Sequence, residues 1–113
     1  MPGGTRRAKK PSEYVIHGSW PNAVIESRRA AQIAQTVSRR LAEAMTRQGL
    51  SANALAKASG VNRQVIANIL AGQVWIDTVT LADLEEVLDE MLWPQHVAWP
   101  RNPQGEALEP LSE

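Results

Sequence analysis

Leu50-Ser51-Ala52-Asn53-Ala54-Leu55-Ala56-Lys57-Ala58-Ser59-Gly60-Val61-Asn62-Arg63-Gln64-Val65-Ile66-Ala67-Asn68-Ile69-Leu70-Ala71-Gly72 is the stretch on which the fold turns. Two short helices that cross steeply over a tight turn need a small residue inside the first, where the second passes close. Ala56 is that residue. Four positions later the turn needs a residue at ease with positive φ, and Gly60 stands there. Branched apolar side chains must then plug the second helix into a core. Val61, Ile66 and Ile69 fit, with Leu55 facing them. Ser51 and Asn62 are helix-capping residues at the two starts.

Outward from this unit the pattern stays helical. Ala30, Ile33, Ala34, Val37, Leu41, Ala44 and Met45 recur at helical spacing up to Gly49. Arg39, Glu43 and Arg47 stand four apart on the other side, a spacing that supports a helix through ion pairs. This helix is expected to begin as early as Asn22, unbroken, kinked or split. A fourth helix is expected from Asp77 or Thr78 to about Leu92, with Leu81, Leu84, Leu88 and Met91 as its core stripe. Its exposed side carries Asp83, Glu85, Glu86, Asp89 and Glu90. All seven prolines lie at or before Pro21 or at or after Pro94, so the proline-free middle reads as the helical body. The expected class is all-α: a compact domain of four to five helices at 22–93 containing a helix-turn-helix. Flexible tails flank it, a basic arm at 1–21 with a short strand at Tyr14-Val15-Ile16-His17, and a disordered tail at 94–113.

Composition narrows the function. The chain has 113 residues, room for one small domain with tails and no separate sensing domain. Aromatic residues make up only 4% and Phe is absent, so the core falls to aliphatic side chains suited to packed helices. Without Cys there are no disulfides and no thiolate metal sites. No apolar run approaches a membrane span and no signal core is seen, so the expected compartment is the cytoplasm. Net charge is zero but polarised. Residues 1–50 hold nine Lys/Arg against three Asp/Glu, and residues 51–113 the reverse. One face can therefore be basic in a neutral chain, which keeps nucleic acid open as a partner.

With the Leu50–Gly72 motif, its preceding helix and a following helix near Asp77, the chain resembles the lambda-repressor-like, Cro/repressor-type helix-turn-helix family over about Val37 to Leu92. The resemblance implies a sequence-specific transcriptional regulator, a repressor, binding double-stranded operator DNA as a homodimer without a cofactor. In such a motif the second helix enters the major groove with its N-terminal residues on base edges. The solvent face of the helix 62–71 carries Gln64, Ala67 and Asn68, with Arg63 at its flank. Arg suits guanine, Gln or Asn suits adenine, and Ala67 can meet a thymine methyl. These four are the expected base contacts. Ser51 and Asn62, at helix N-termini, are assigned to phosphate, with Arg47 and Lys57 as weaker candidates. Arg6, Arg7, Lys9 and Lys10 form a candidate minor-groove arm, whose bland alternative is a solubilising tail.

Three features depart from the family. Ala52 stands where a phosphate-anchoring Gln is common. The loop after Gly72, often polar or basic, reads Gln73-Val74-Trp75-Ile76. Val74, Trp75 and Ile76 are expected either to close the core or to mediate self-association. The usual fifth helix is not evident, because Pro94 stops the pattern. The competing reading is an antitoxin-like or adaptor module that holds a protein partner through the Trp75 loop and the acidic fourth helix. An enzyme is not expected. His17 and His96 have no matching ligand or catalytic cluster, so no metal is implied, and no glycine loop cradles phosphate.

Overall fold

The computed structural model describes residues 9–94. A 3-10 turn at Pro11–Tyr14 leads into β1 (Val15–His17), which pairs antiparallel with β2 (Val24–Ile25). Four helices follow: α1 (Arg29–Gln48), α2 (Ala52–Ser59), α3 (Arg63–Leu70) and α4 (Thr78–Leu88). Arg6, Arg7 and the segment 95–113, His96 included, lie outside the described residues.

Three of the four helices close on a left-handed cap residue, and a left-handed Gly72 follows the right-handed cap of α3. Gly49 ends α1 at φ 65° and Gly60 ends α2 at φ 78°. Ser51 Oγ accepts from Ala54 N at 3.1 Å, Asn62 Oδ1 from Gln64 N at 2.7 Å, and Asp77 Oδ1 from Thr80 N at 2.8 Å. Three helix starts are thus capped by the short polar side chains suited to that role. One core unites them. Val37, Leu41, Ala44 and Met45 of α1 meet Leu55 of α2, Val61, Ile66 and Ile69 at α3, and Leu81, Leu84 and Leu88 of α4.

Three expectations are corrected. The first helix begins at Arg29, not Asn22. Val24 and Ile25 are spent on the strand that pairs with β1, and Glu26 N donates to Tyr14 O at 2.9 Å. The expected strand near Tyr14 is present as β1, with a bulge between Val15 and His17, and belongs to an ordered hairpin rather than to a free arm. The fourth helix closes at Leu88, where Asp89 turns left-handed at φ 54°. That turn rotates the chain, leaving Met91 54% exposed and Leu92 fully buried, so Leu92 completes the stripe assigned to Met91. Among the described residues, no helix is long and apolar enough to cross a membrane.

Candidate nucleic-acid interface

Gly60 and the side chain of Ser59 build the turn between α2 and α3. Ser59 Oγ donates to Leu55 O at 2.7 Å and accepts from Val61 N at 3.1 Å, joining the end of α2 to the start of α3. Leu55 and Ile66 are fully buried and Ile69 nearly so, and this fixes which side of α3 faces inward. The opposite side is open. Arg63, Gln64, Val65 and Ala67 are exposed, and Asn68 is half-buried.

The four expected base contacts thus share one accessible face. Gln64 Nε2 donates to Asn68 Oδ1 at 3.1 Å, one helical turn away. This bond orders two flexible amides before any ligand arrives, and leaves a carbonyl on Gln64 and the amide hydrogens of Asn68 pointing away from it. Arg63 stands at the N-terminal end of the same face and forms no ion pair among the described residues.

The expected phosphate contacts divide. Ser51 and Asn62 are exposed caps at the starts of α2 and α3, where free backbone N–H groups and the helix dipole favour an anion. Lys57 is exposed near the end of α2. Arg47 is engaged elsewhere. Its guanidinium meets the Glu90 carboxylate, which also accepts from Gln48 Nε2 at 3.0 Å, so α1 is tied to the end of α4. The hydrogen bonds from Arg47 and then Gln48 hold the Glu90 carboxyl below its ordinary pKa.

The loop after α3 is covered by the chain's own N-terminal segment. Val74 and Ile76 pack on the core, which is the core-closing alternative. Trp75 is 37% exposed; its Nε1 donates to Lys9 O at 2.9 Å, and its ring meets Tyr14 edge-on at 6.2 Å. Ser12 N donates to Gly72 O at 2.9 Å, and Trp20 packs against Gly72. Lys9 and Lys10, assigned to an arm, are held here as well. Lys9 Nζ lies 3.6 Å from Glu26 and over the Tyr14 ring, and Lys10 Nζ donates to Gln73 Oε1 at 3.0 Å. This clasp was not foreseen. Its signal was the cluster Tyr14, Val15, Ile16 and Trp20 upstream of a loop, Val74-Trp75-Ile76, that itself needed cover.

Comparison with known proteins agrees with this geometry. A helix-turn-helix family model matches residues 41–90. The solved structure of the restriction-modification controller protein C.AhdI from Aeromonas hydrophila is 31% identical. It aligns over 55% of this chain and 92% of its own length, with a TM-score of 0.50. No curated protein sequence matches the chain.

Proposed function

This chain belongs to the lambda-repressor-like helix-turn-helix family and is a sequence-specific DNA-binding transcriptional regulator, and from that premise we propose that it reads its operator in the major groove with the exposed face of α3 and acts as a repressor. Arg63, Gln64 and Asn68 are the base readers, with Ala67 against a thymine methyl. The observation that carries this reading is the Gln64–Asn68 bond beside an Arg63 that forms no ion pair among the described residues, on a helix whose other side is locked into the core. Ser51, Asn62 and Lys57 hold the phosphates. Arg47 is the weakest of the assigned contacts, because Glu90 already neutralises it.

One copy presents one short reading helix, so a homodimer on two half-sites about one helical turn apart (roughly 34 Å) supplies the affinity a regulator needs. Selection from a random DNA pool tests these statements together. The wild-type chain is expected to enrich a palindrome, and Arg63→Ala/Gln64→Ala/Asn68→Ala to enrich nothing while unfolding at the wild-type temperature. Enrichment of the same sequence by the triple variant would show that other residues read the bases. A promoter fusion carrying the palindrome should be silenced by the wild-type chain, and activation instead would overturn the repressor assignment.

A protein-interaction module is the second reading. Asp83 and Glu86 of α4 and Asp89 at its C-terminal cap accompany Val79 and Met91, which are 71% and 54% exposed. Failure of the wild-type chain to enrich any DNA would favour it.

A further inference from the structure

We infer that Lys10 is a DNA phosphate contact at the C-terminal end of α3, carried there by the N-terminal clasp, an inference that rests on α3 being the helix in the groove. Between Arg63 and Arg101 the sequence contains no Lys or Arg. The far end of the reading helix and the loop after it therefore bring no cation of their own. A helix C-terminus is also the negative end of the helix dipole, which repels phosphate. Left alone, this end of α3 would oppose the DNA backbone that its N-terminal end attracts.

The clasp corrects the imbalance from sixty residues away. Lys10 Nζ donates to Gln73 Oε1 at 3.0 Å, and Gln73 N donates to Asn68 O at 2.9 Å, so the ammonium is hung from the last turn of the helix that carries the readers. Its backbone is fixed on both sides. Trp75 Nε1 holds Lys9 O, Lys10 N donates to Glu13 Oε1 at 2.7 Å, and Ser12 N donates to Gly72 O. Lys9 differs from its neighbour, because Glu26 and the Tyr14 ring take up its charge. Lys10 is exposed and its side-chain partner is a neutral amide, so its charge is available.

The spacing suits a second row of phosphates. At about 1.5 Å per residue, eight-residue α3 is roughly 12 Å long. Asn62 and Lys10 therefore stand about that far apart, at opposite ends of the reading helix, and meet different phosphates.

Salt-dependent binding tests this. The full chain is titrated by fluorescence anisotropy onto its selected duplex and onto a scrambled duplex. For Lys10→Gln we expect weaker binding to both, an unchanged selected sequence and a slope of log affinity against log salt shallower by about one. The affinity ratio of wild type to Lys10→Gln should then shrink about fourfold between roughly 50 and 200 mM salt. Lys10→Arg should restore the slope, and thermal unfolding should not move. A wild-type slope in Lys10→Gln, on a duplex the wild-type chain selects, overturns the inference and leaves the reading of α3 standing. A slope lowered by Arg6→Gln/Arg7→Gln but not by Lys10→Gln overturns it equally, by assigning the charge to the arm. A wild-type chain that selects no sequence sinks the reading of α3 and this inference with it.

Discussion

Trp20 lies so close to Gly72 that a methyl group on that glycine would stand 2.7 Å from the indole Cε2 and 2.8 Å from Nε1. Gly72 also sits at φ 70°, one residue beyond the cap of α3. Two separate demands therefore exclude a side chain. Gly49 and Gly60 are left-handed too, but a Cβ on either would meet nothing within 4 Å. Gly49→Ala and Gly60→Ala are expected to cost about 1–2 kcal/mol each, from backbone strain alone. Gly72→Ala should add about 1–3 kcal/mol for overpacking. Urea denaturation of the three variants gives the ranking, and Trp20→Ala should relieve the extra part in the Trp20→Ala/Gly72→Ala pair. Equal costs at all three glycines would show that the indole yields freely.

Ser38 is a buried polar residue of α1, and its Oγ donates to Ile69 O at 2.6 Å. The same carbonyl receives Gly72 N at 3.2 Å, so this bond and the clasp converge on the last turn of α3. Ser38→Ala is expected to lose about 1 kcal/mol of stability, since the carbonyl keeps another donor. A local effect should accompany the global one. The amides of Ala71, Gly72 and Gln73 should exchange with solvent faster than global unfolding explains, while those of α2 keep their protection relative to it. Uniform loss of protection across the domain would mean that Ser38 contributes to the core without steadying the end of α3.

Much of this was legible because the signals were local. Ala56, Gly60 and the spacing of Leu55, Val61, Ile66 and Ile69 dictate the crossing of α2 and α3 through contacts within fifteen residues. The exposure of Arg63, Gln64 and Ala67 follows from helical periodicity once the inward side is known. The clasp was not legible in the same way. Lys10–Gln73, Ser12–Gly72 and Lys9–Trp75 join segments about sixty residues apart, and no periodicity links them. A pattern of isolated aromatics shows that something is to be covered without showing by what. The end of α4 failed for another reason. Left-handed Asp89 is a non-glycine residue in a conformation that only a few residue types adopt, and continuing the helical period past it places Met91 where Leu92 belongs.

That correction has a direct consequence. Leu92 is fully buried in the shared core, whereas Met91 is 54% exposed. The Glu85 carboxylate steadies the turned chain by accepting Leu92 N at 2.7 Å and Trp93 N at 3.0 Å. Leu92→Ala is expected to cost about 2–5 kcal/mol, the usual range for emptying a core site. Met91→Ala should stay within about 0.5 kcal/mol of wild type. Chemical denaturation of both variants decides it, and the reverse order would mean that the helix continues past Leu88 in solution.

Acid should loosen the domain through two carboxylates, exposed Asp77 and half-buried Glu90. Asp77 is held below its ordinary pKa by hydrogen bonds from the Thr80 backbone and then its hydroxyl, and Glu90 by Arg47 and Gln48. A carboxyl with a lowered pKa in the folded state binds its proton first in the unfolded chain. Its stabilising contribution is therefore complete above the ordinary carboxylate range and is lost as pH falls through the lowered, folded value. Exposure to solvent keeps each contribution small. Thermal midpoints should be flat near neutrality and fall in the acid range, with a smaller acid drop in Glu90→Gln, which frees Arg47 from pairing with a charge. Asp77→Asn should also show a smaller drop while keeping a side chain able to cap α4, whereas Asp77→Ala should be less stable at every pH. An acid profile unchanged in both Glu90→Gln and Asp77→Asn would show that neither ion binds its partners more tightly in the folded chain than in the unfolded one.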